Sequence, residues 1–308
     1  MPSGKLRETE QEPNNKVPVR RVKYDHFMGF FINIPVCKLQ NYEKVLNFAS
    51  ELTTFIKMIS KNLQKYIRQL EQKKYRKREG LFVAEGTKNV GDLLKRFTPK
   101  TVFATGQWLA PEGVVPQIIS EEELQRISFQ QHPQQVLALF PIPQQDNVDP
   151  IKLLNDQTLV IALDGVQDPG NLGTIIRIAD WFGINTLICS NDTADAWNPK
   201  VVQATMGSLA RVNIIYTSIP SLLDRLPDTY PVYGTFLDGK DIYTEQLTTG
   251  GLIIMGNEGN GISQEGRQRI NRKLFIPNFH HGKTADSLNV AIATAITCSE
   301  FRRRIAHG

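Results

Sequence analysis

IIMGNEGNGIS (residues 253–263) and FIPNFHHGKTADSLNVAIATAI (residues 275–296) decide the fold. The first is an apolar strand that breaks into Gly256-Asn257-Glu258-Gly259-Asn260-Gly261. The second is a short strand ending at Pro277, then a polar loop, then Ser287-Leu288-Asn289 opening a long apolar helix. Three glycines in six residues let backbone approach a ligand closely and supply positive φ angles. A serine at a helix start offers a hydroxyl beside free N–H groups. Two such loops after two strands predict a ligand pocket; for the first loop alone, a Gly-rich hairpin turn is the bland alternative. The glycine order G-x-x-G-x-G is wrong for a dinucleotide fingerprint. Gly282-Lys283-Thr284 resembles the end of a phosphate-binding P-loop, but Pro277 occupies the position of the required earlier glycine.

Upstream of this stretch, from Thr158, apolar strands alternate with helices. The strands are Thr158–Leu163, Thr186–Cys189, Val212–Tyr216, Val232–Phe236, Leu252–Met255 and Lys273–Ile276. The helices are Gly173–Phe182, Pro199–Leu209, Ile219–Leu226, Gln264–Ile270 and Ser287–Arg304. Near-continuous apolar strands separated by helices predict an α/β fold with a parallel sheet covered on both faces. The first βα connection reads DGVQDPGNLGTIIRIADWFGI (residues 164–184), with Asn171 where a helix cap is wanted. Arg177 lies six residues on, among isoleucines, either as a snorkelling surface residue or as a deliberately placed charge.

Residues 58–141 form a smaller α/β pattern, and 142–155, rich in proline and polar residues, read as a linker before a domain at 156–308. The small domain opens with one predicted basic helix, Leu63–Glu79. From Lys61 to Arg78 it carries Lys61, Lys65, Arg68, Lys73, Lys74, Arg76, Lys77 and Arg78 against Glu71 alone. A charge run is ordinarily a solvated face; the density and single sign here favour contact with phosphates. A Ser120…Glu123 capping box predicts a helix over Ser120–Ile127. Residues 1–57 read as an extension, polar and disordered over Met1–Lys23, with an amphipathic helix at Tyr42–Ile56.

The 308 residues suit one large domain or two ordinary ones, and 41% hydrophobic content supports a packed core. A net charge of +5 and an isoelectric point near 9.0 permit a polyanionic partner. Cys37, Cys189 and Cys298 form no C-x-x-C pair. Cys189 and Cys298 lie in apolar runs and read as core, which fits a reducing, cytoplasmic setting. No apolar run approaches the ~20 residues of a membrane-spanning helix, and the polar start, Met1–Asn15, is no signal peptide.

Taken together, three segments resemble the SpoU/TrmH-type RNA 2′-O-ribose methyltransferases of the SPOUT superfamily. Asn171…Arg177…Phe182-Gly183 resembles that family's first motif, Met255-Gly256-Asn257-Glu258-Gly259…Gly261 its second, and Ile276-Pro277…Ser287-Leu288-Asn289-Val290 its third. KYRKREGLFVAEG (residues 74–86) and HPQQVLALF (residues 132–140) resemble the substrate-binding domain that often precedes the catalytic one. The resemblance does not reach residues 1–57, and the loop Asn278–Asp286 is a few residues longer than the family's usual third motif.

The resemblance implies a C-terminal deep trefoil knot holding a bent S-adenosylmethionine. Thr235, Leu237, Gly256, Asn257, Glu258, Gly259, Ile276, Ser287 and Leu288 would hold that cofactor. Asn171, Arg177, Glu258, Ser287 and Asn289 would serve catalysis, in a homodimer whose sites are each completed by the partner's first motif. Arg177 would fix the substrate phosphate and favour the developing alkoxide, since guanidinium normally stays protonated; Arg177 as a literal base is the second option. Asn171 would position Arg177 or the ribose. Lys73, Lys74, Arg76, Lys77 and Arg78 would contact structured RNA, with 23S ribosomal RNA favoured over transfer RNA. His280-His281, without a companion cluster, predicts a plain loop or an RNA contact rather than a metal site. The rival readings are a catalytically silent RNA-binding member of the same fold, and a nucleotide-dependent oxidoreductase or kinase. Every catalytic position is occupied, which argues against the first; the failed glycine spacings argue against the second.

Overall fold

The computed structural model describes residues 59–144, 148–280, 282 and 285–307. The expectations for residues 1–57, including Cys37, and for His281 lie outside these residues.

The basic run expected as one helix is two. In α1 (Lys61–Gln69), the Ser60 hydroxyl caps the start by accepting from the Leu63 N–H. α2 (Lys73–Glu79) follows after a break at 70–72. Arg76 holds that break by donating to the carbonyls of Leu70 (2.8 Å) and Glu71 (2.6 Å), groups that a helix end leaves without partners. Gly80 at φ +63° ends α2 in the left-handed conformation and turns the chain into β1 (Leu81–Glu85). There follow α3 (Thr87–Leu93), β2 (Thr101–Ala104), β3 (Gln117–Ile118), α4 (Glu121–Ile127) and β4 (Val136–Pro141). The strands form a sheet in the order β1-β4-β2-β3, and the capping box expected at α4 is present.

The second sheet takes β5 (Leu159–Asp164), then α5 (Pro169–Trp181), β6 (Thr186–Cys189), α6 (Pro199–Ala204), β7 (Asn213–Tyr216) and α7 (Ile219–Leu223). It continues with β8 (Val232–Asp241), β9 (Gly251–Gly256), α8 (Gln264–Arg269), β10 (Arg272–Phe275) and α9 (Val290–His307). Its order is β10-β8-β9-β5-β6-β7 and every pairing is parallel, as the continuous apolar strands require. Leu159, Ile161 and Leu163 point into one core and Val160 and Ala162 into the other, the two-residue alternation of a strand buried on both faces.

Of the boundaries that differ from expectation, three bear on the site or its helices. β8 runs on to Asp241, because β10 pairs with it in two pieces. Lys273 lies opposite Gly234 and Leu274 opposite Lys240, so residues 235–239 stand off the ladder. α6 stops at Ala204, since Met206 and Gly207 are both left-handed, at φ +52° and +92°. α9 opens at Val290 rather than Ser287, with the Asn289 carboxamide capping the N–H groups of Ala291 and Ile292.

The two sheets share an interior. Phe82, Ala84, Val136, Ala138 and Phe140 of the first belong to the same core as Leu159, Ile161 and Leu163 of the second. Phe82 and Trp197 meet with ring centres 4.9 Å apart. Around them Asn89 and Gln130 both donate to the Gln203 side chain, and Arg96 donates to Asn213. Cys189 and Cys298 are buried as expected; burial pushes the Cys189 thiol far above its ordinary range and that of Cys298 up to about 12. Among the described residues no helix is long and apolar enough to cross a membrane.

Candidate active site

The middle of β8 and the carboxyl ends of β9 and β10 open onto one cavity of about 660 Å³, within the ~300–1,000 Å³ usual for small-molecule pockets. It lies near β5, where the strand order reverses, as ligand sites of parallel sheets do. All nine residues predicted to hold a cofactor line it: Thr235, Leu237, Gly256, Asn257, Glu258, Gly259, Ile276, Ser287 and Leu288.

The glycine loop is a closed hairpin as well as a pocket wall. Asn257 and Gly261 exchange both backbone hydrogen bonds at 2.9 Å. A Cβ on Gly256 would lie 2.3 Å from the backbone of Gly261 and Ile262, so only glycine permits the fold-back. The Asn257 side chain is spent on the loop itself: Oδ1 accepts from Gly259 and Asn260, and Nδ2 donates to the Gly165 carbonyl at 2.7 Å. What the loop presents outward is Glu258.

Glu258, Asn171 and Asn289 form one hydrogen-bonded chain, so a residue from each of the three segments meets at the lip of the cavity. Asn289 Oδ1 is committed to two N–H groups at the start of α9, so its Nδ2 must donate outward, and it does, to Asn171 Oδ1 at 2.9 Å. The Asn171 Nδ2 then faces the Glu258 carboxylate, which can only accept, at 2.8 Å. Asn171 was expected as the cap of its helix. The cap is Asp168, whose carboxylate accepts from the Asn171 N–H at 2.7 Å, with Pro169 in the first turn; the Asn171 side chain is thereby free for Glu258.

Arg177 is not brought into this cavity. It is exposed on α5, lies about one and two-thirds turns from Asn171, and has no hydrogen-bond or ion-pair partner among the described residues. The Asn171 carboxamide is engaged by Glu258 and Asn289, so it does not position the Arg177 of its own chain. Arg177 shares a helix face with Thr174 and Trp181, and the Trp181 indole is 85% exposed. α9, which packs on α5, leaves Ile292 exposed.

Of the five predicted RNA contacts, Lys73, Lys74, Lys77 and Arg78 are exposed, and Lys74 and Arg78 flank the Tyr75 ring at 4.9 Å each. Arg76 is a correction. It is 1% exposed and donates to Asp195 at 3.1 and 2.5 Å as well as to the Leu70 and Glu71 carbonyls, so it joins the helix pair to the second sheet instead of facing solvent. Sequence reading missed three charged residues of the cavity, Asp238, Asp286 and Arg267. Asp238 was hidden because β8 was ended at Phe236. Arg267 was hidden in an ordinary helix, although it stands four residues after the helix-capping Ser263 beside the glycine loop.

Comparison with known proteins defines the class: the chain belongs to the SpoU rRNA methylase family, whose sequence model matches residues 158–299, while that of the MRM3-like substrate binding domain matches 62–138. Among its relatives is the 23S rRNA (guanosine(2553)-2'-O)-methyltransferase RlmP of Bacillus subtilis (strain 168). The two are 31% identical over 244 residues, 76% of this chain and 94% of that protein. A solved TrmH-family protein of Porphyromonas gingivalis is 40% identical with a TM-score of 0.70, covering 80% of this chain and 99% of its own. An AdoMet-bound rRNA methyltransferase from Sinorhizobium meliloti is 31% identical with a TM-score of 0.68, covering 80% and 95%.

Proposed function

We propose that this protein transfers a methyl group from S-adenosylmethionine to a ribose 2′-hydroxyl of structured RNA, with 23S-type ribosomal RNA as the substrate. The observation that carries the reading is the Glu258–Asn171–Asn289 chain at the lip of the cavity, which joins one residue from each of the three segments that resemble the family's motifs. The names of the relatives support ribosomal over transfer RNA.

The residues present fit this cofactor. Leu237 and Leu288, 76% and 50% exposed at the rim, offer apolar surface suited to an adenine ring, and the Gly256 fold-back brings backbone to the wall. Thr235, Ile276 and Ser287 would complete the cradle. The cofactor supplies an already activated methyl group, so the chain's part is orientation and charge.

Glu258, held by Asn171, orients an arginine or the ribose, while Ser287 and Asn289 hold the substrate. Arg177 acts from a second copy of the chain, stabilising the developing alkoxide while staying protonated. Its lack of any partner among the described residues, beside an exposed tryptophan and isoleucine, supports a homodimer closing over α5 and α9. A trefoil knot is the topology we assign to residues from β8 onward. The stand-off of residues 235–239 supports it, as does Gly239, where a Cβ would lie 2.4 Å from the Leu274 backbone. Lys73, Lys74, Lys77 and Arg78 would grip the RNA backbone, and we place the protein's action in the cytoplasm. Mapping ribose methylation in RNA from cells with and without the gene tests the reading; an unchanged ribosomal RNA pattern overturns it.

A further inference from the structure

Arg267 is the one cation among the described residues that line the cavity; the other charged lining groups are Asp238, Glu258 and Asp286. Two contacts anchor it. Nε donates to the Ile262 carbonyl at 3.1 Å, and the guanidinium carbon stands 5.0 Å from the centre of the Phe236 ring. They use one of its five N–H groups, leaving both terminal nitrogens without a hydrogen-bond partner among the described residues. Among the described residues no acid, Asp286 included, forms an ion pair with it; Glu258 accepts from Asn171 and Asp238 pairs with Lys273 at 3.6 Å. A guanidinium anchored through Nε beside an aromatic ring, with both terminal nitrogens free, can receive a planar anion bidentately.

S-adenosylmethionine carries one carboxylate and two cationic centres, and the cavity wall carries the opposite set, one guanidinium among acids. We propose that Arg267 binds the α-carboxylate of the cofactor and so reads its amino-acid end. The inference rests on the reading above that this cofactor occupies the cavity.

The test is a ligand-by-variant cycle measured by calorimetry on the full chain, without RNA or turnover. The ligands are S-adenosylmethionine, decarboxylated S-adenosylmethionine and 5′-methylthioadenosine; the proteins are wild type, Arg267→Gln and Arg267→Lys. Arg267→Gln is expected to lose about tenfold in affinity for S-adenosylmethionine, the size of one charge-assisted hydrogen bond, and to bind the two ligands without a carboxylate as wild type does. Arg267→Lys should fall between. Equal losses for all three ligands, or no loss for S-adenosylmethionine, overturn the assignment. If the variants fail to bind even 5′-methylthioadenosine, wild type decides alone: no preference for the carboxylated cofactor over its decarboxylated form overturns it too. Wild type that binds none of the three brings down the cofactor reading itself, a distinguishable failure.

Discussion

Asn171 Nδ2 lies 2.8 Å from Glu258 Oε1, and the bond ties the helix after β5 to the loop after β9 across 87 residues of sequence. A hydrogen bond to a charged group contributes about 1.5–3 kcal/mol, and about 1.4 kcal/mol is a factor of ten in rate. Asn171→Ala should therefore lower the single-turnover methylation rate by ~10- to 100-fold if the bond is maintained in the transition state. Cofactor affinity should change little, because Asn171 does not line the cavity. A rate within about twofold of wild type would mean that the bond merely decorates the loop.

Arg177 has no partner among the described residues of its own chain, so its removal should leave folding and cofactor binding intact. Losing one preorganised charge at a developing alkoxide costs ~10²–10³ in turnover, and Arg177→Ala should fall in that range. Mixing Arg177→Ala with Asn289→Ala, each nearly inactive alone, should restore measurable activity through mixed dimers that contain one intact site. No recovery on mixing, with subunit exchange verified, would show that Arg177 acts within its own chain.

The second sheet was legible because each strand is a short apolar run between turn signals, and the three loops because glycines, a proline and capping residues mark them. Arg76 was illegible for the converse reason. In sequence it is one of eight same-sign charges; only its position on α2, where the helix turns toward Asp195, separates it from Lys77 beside it. Asp168 and Asn171 are both good caps, and nothing local decides between them until Glu258 claims the second. Long-range partners made these differences.

That contrast can be measured. Arg76→Met removes one member of a buried ion pair and leaves Asp195 uncompensated, which costs about 3–5 kcal/mol. Lys77→Met, one residue on but exposed, should stay within about 0.5 kcal/mol of wild type. Urea unfolding of the two variants checks this. Equal midpoints would mean that the Arg76–Asp195 contact is matched by solvation in the unfolded chain.

RNA binding should weaken with salt in proportion to the phosphates neutralised. Each lost phosphate contact reduces the slope of log K against log salt by roughly 0.7–0.9. Replacing Lys73, Lys74 and Lys77 together by glutamine should thus reduce its magnitude by about 2–3 if all three touch the backbone. A slope unchanged by the triple replacement would move the RNA to another face of the protein.

The last prediction concerns acid. Glu300 is buried on α9 and accepts from Arg303 and Arg304 at 2.7–2.8 Å, while Arg304 also donates to the carbonyls of Ile242, Tyr243 and Glu245. The Arg303 guanidinium first, with Arg304 adding to it, holds the Glu300 carboxyl below the usual carboxylate range. A carboxyl whose folded value is depressed stabilises the fold above its unfolded value, about 4.3 for glutamate. That contribution is lost as pH falls through the folded value. Glu300→Gln should therefore be less stable than wild type near neutral pH, with the gap narrowing once the pH drops below about 4. Denaturant midpoints for both proteins across this range check the sign. A gap that persisted undiminished in acid would mean that shape and hydrogen bonding at position 300, rather than charge, secure the C-terminal helix against the segment after β8.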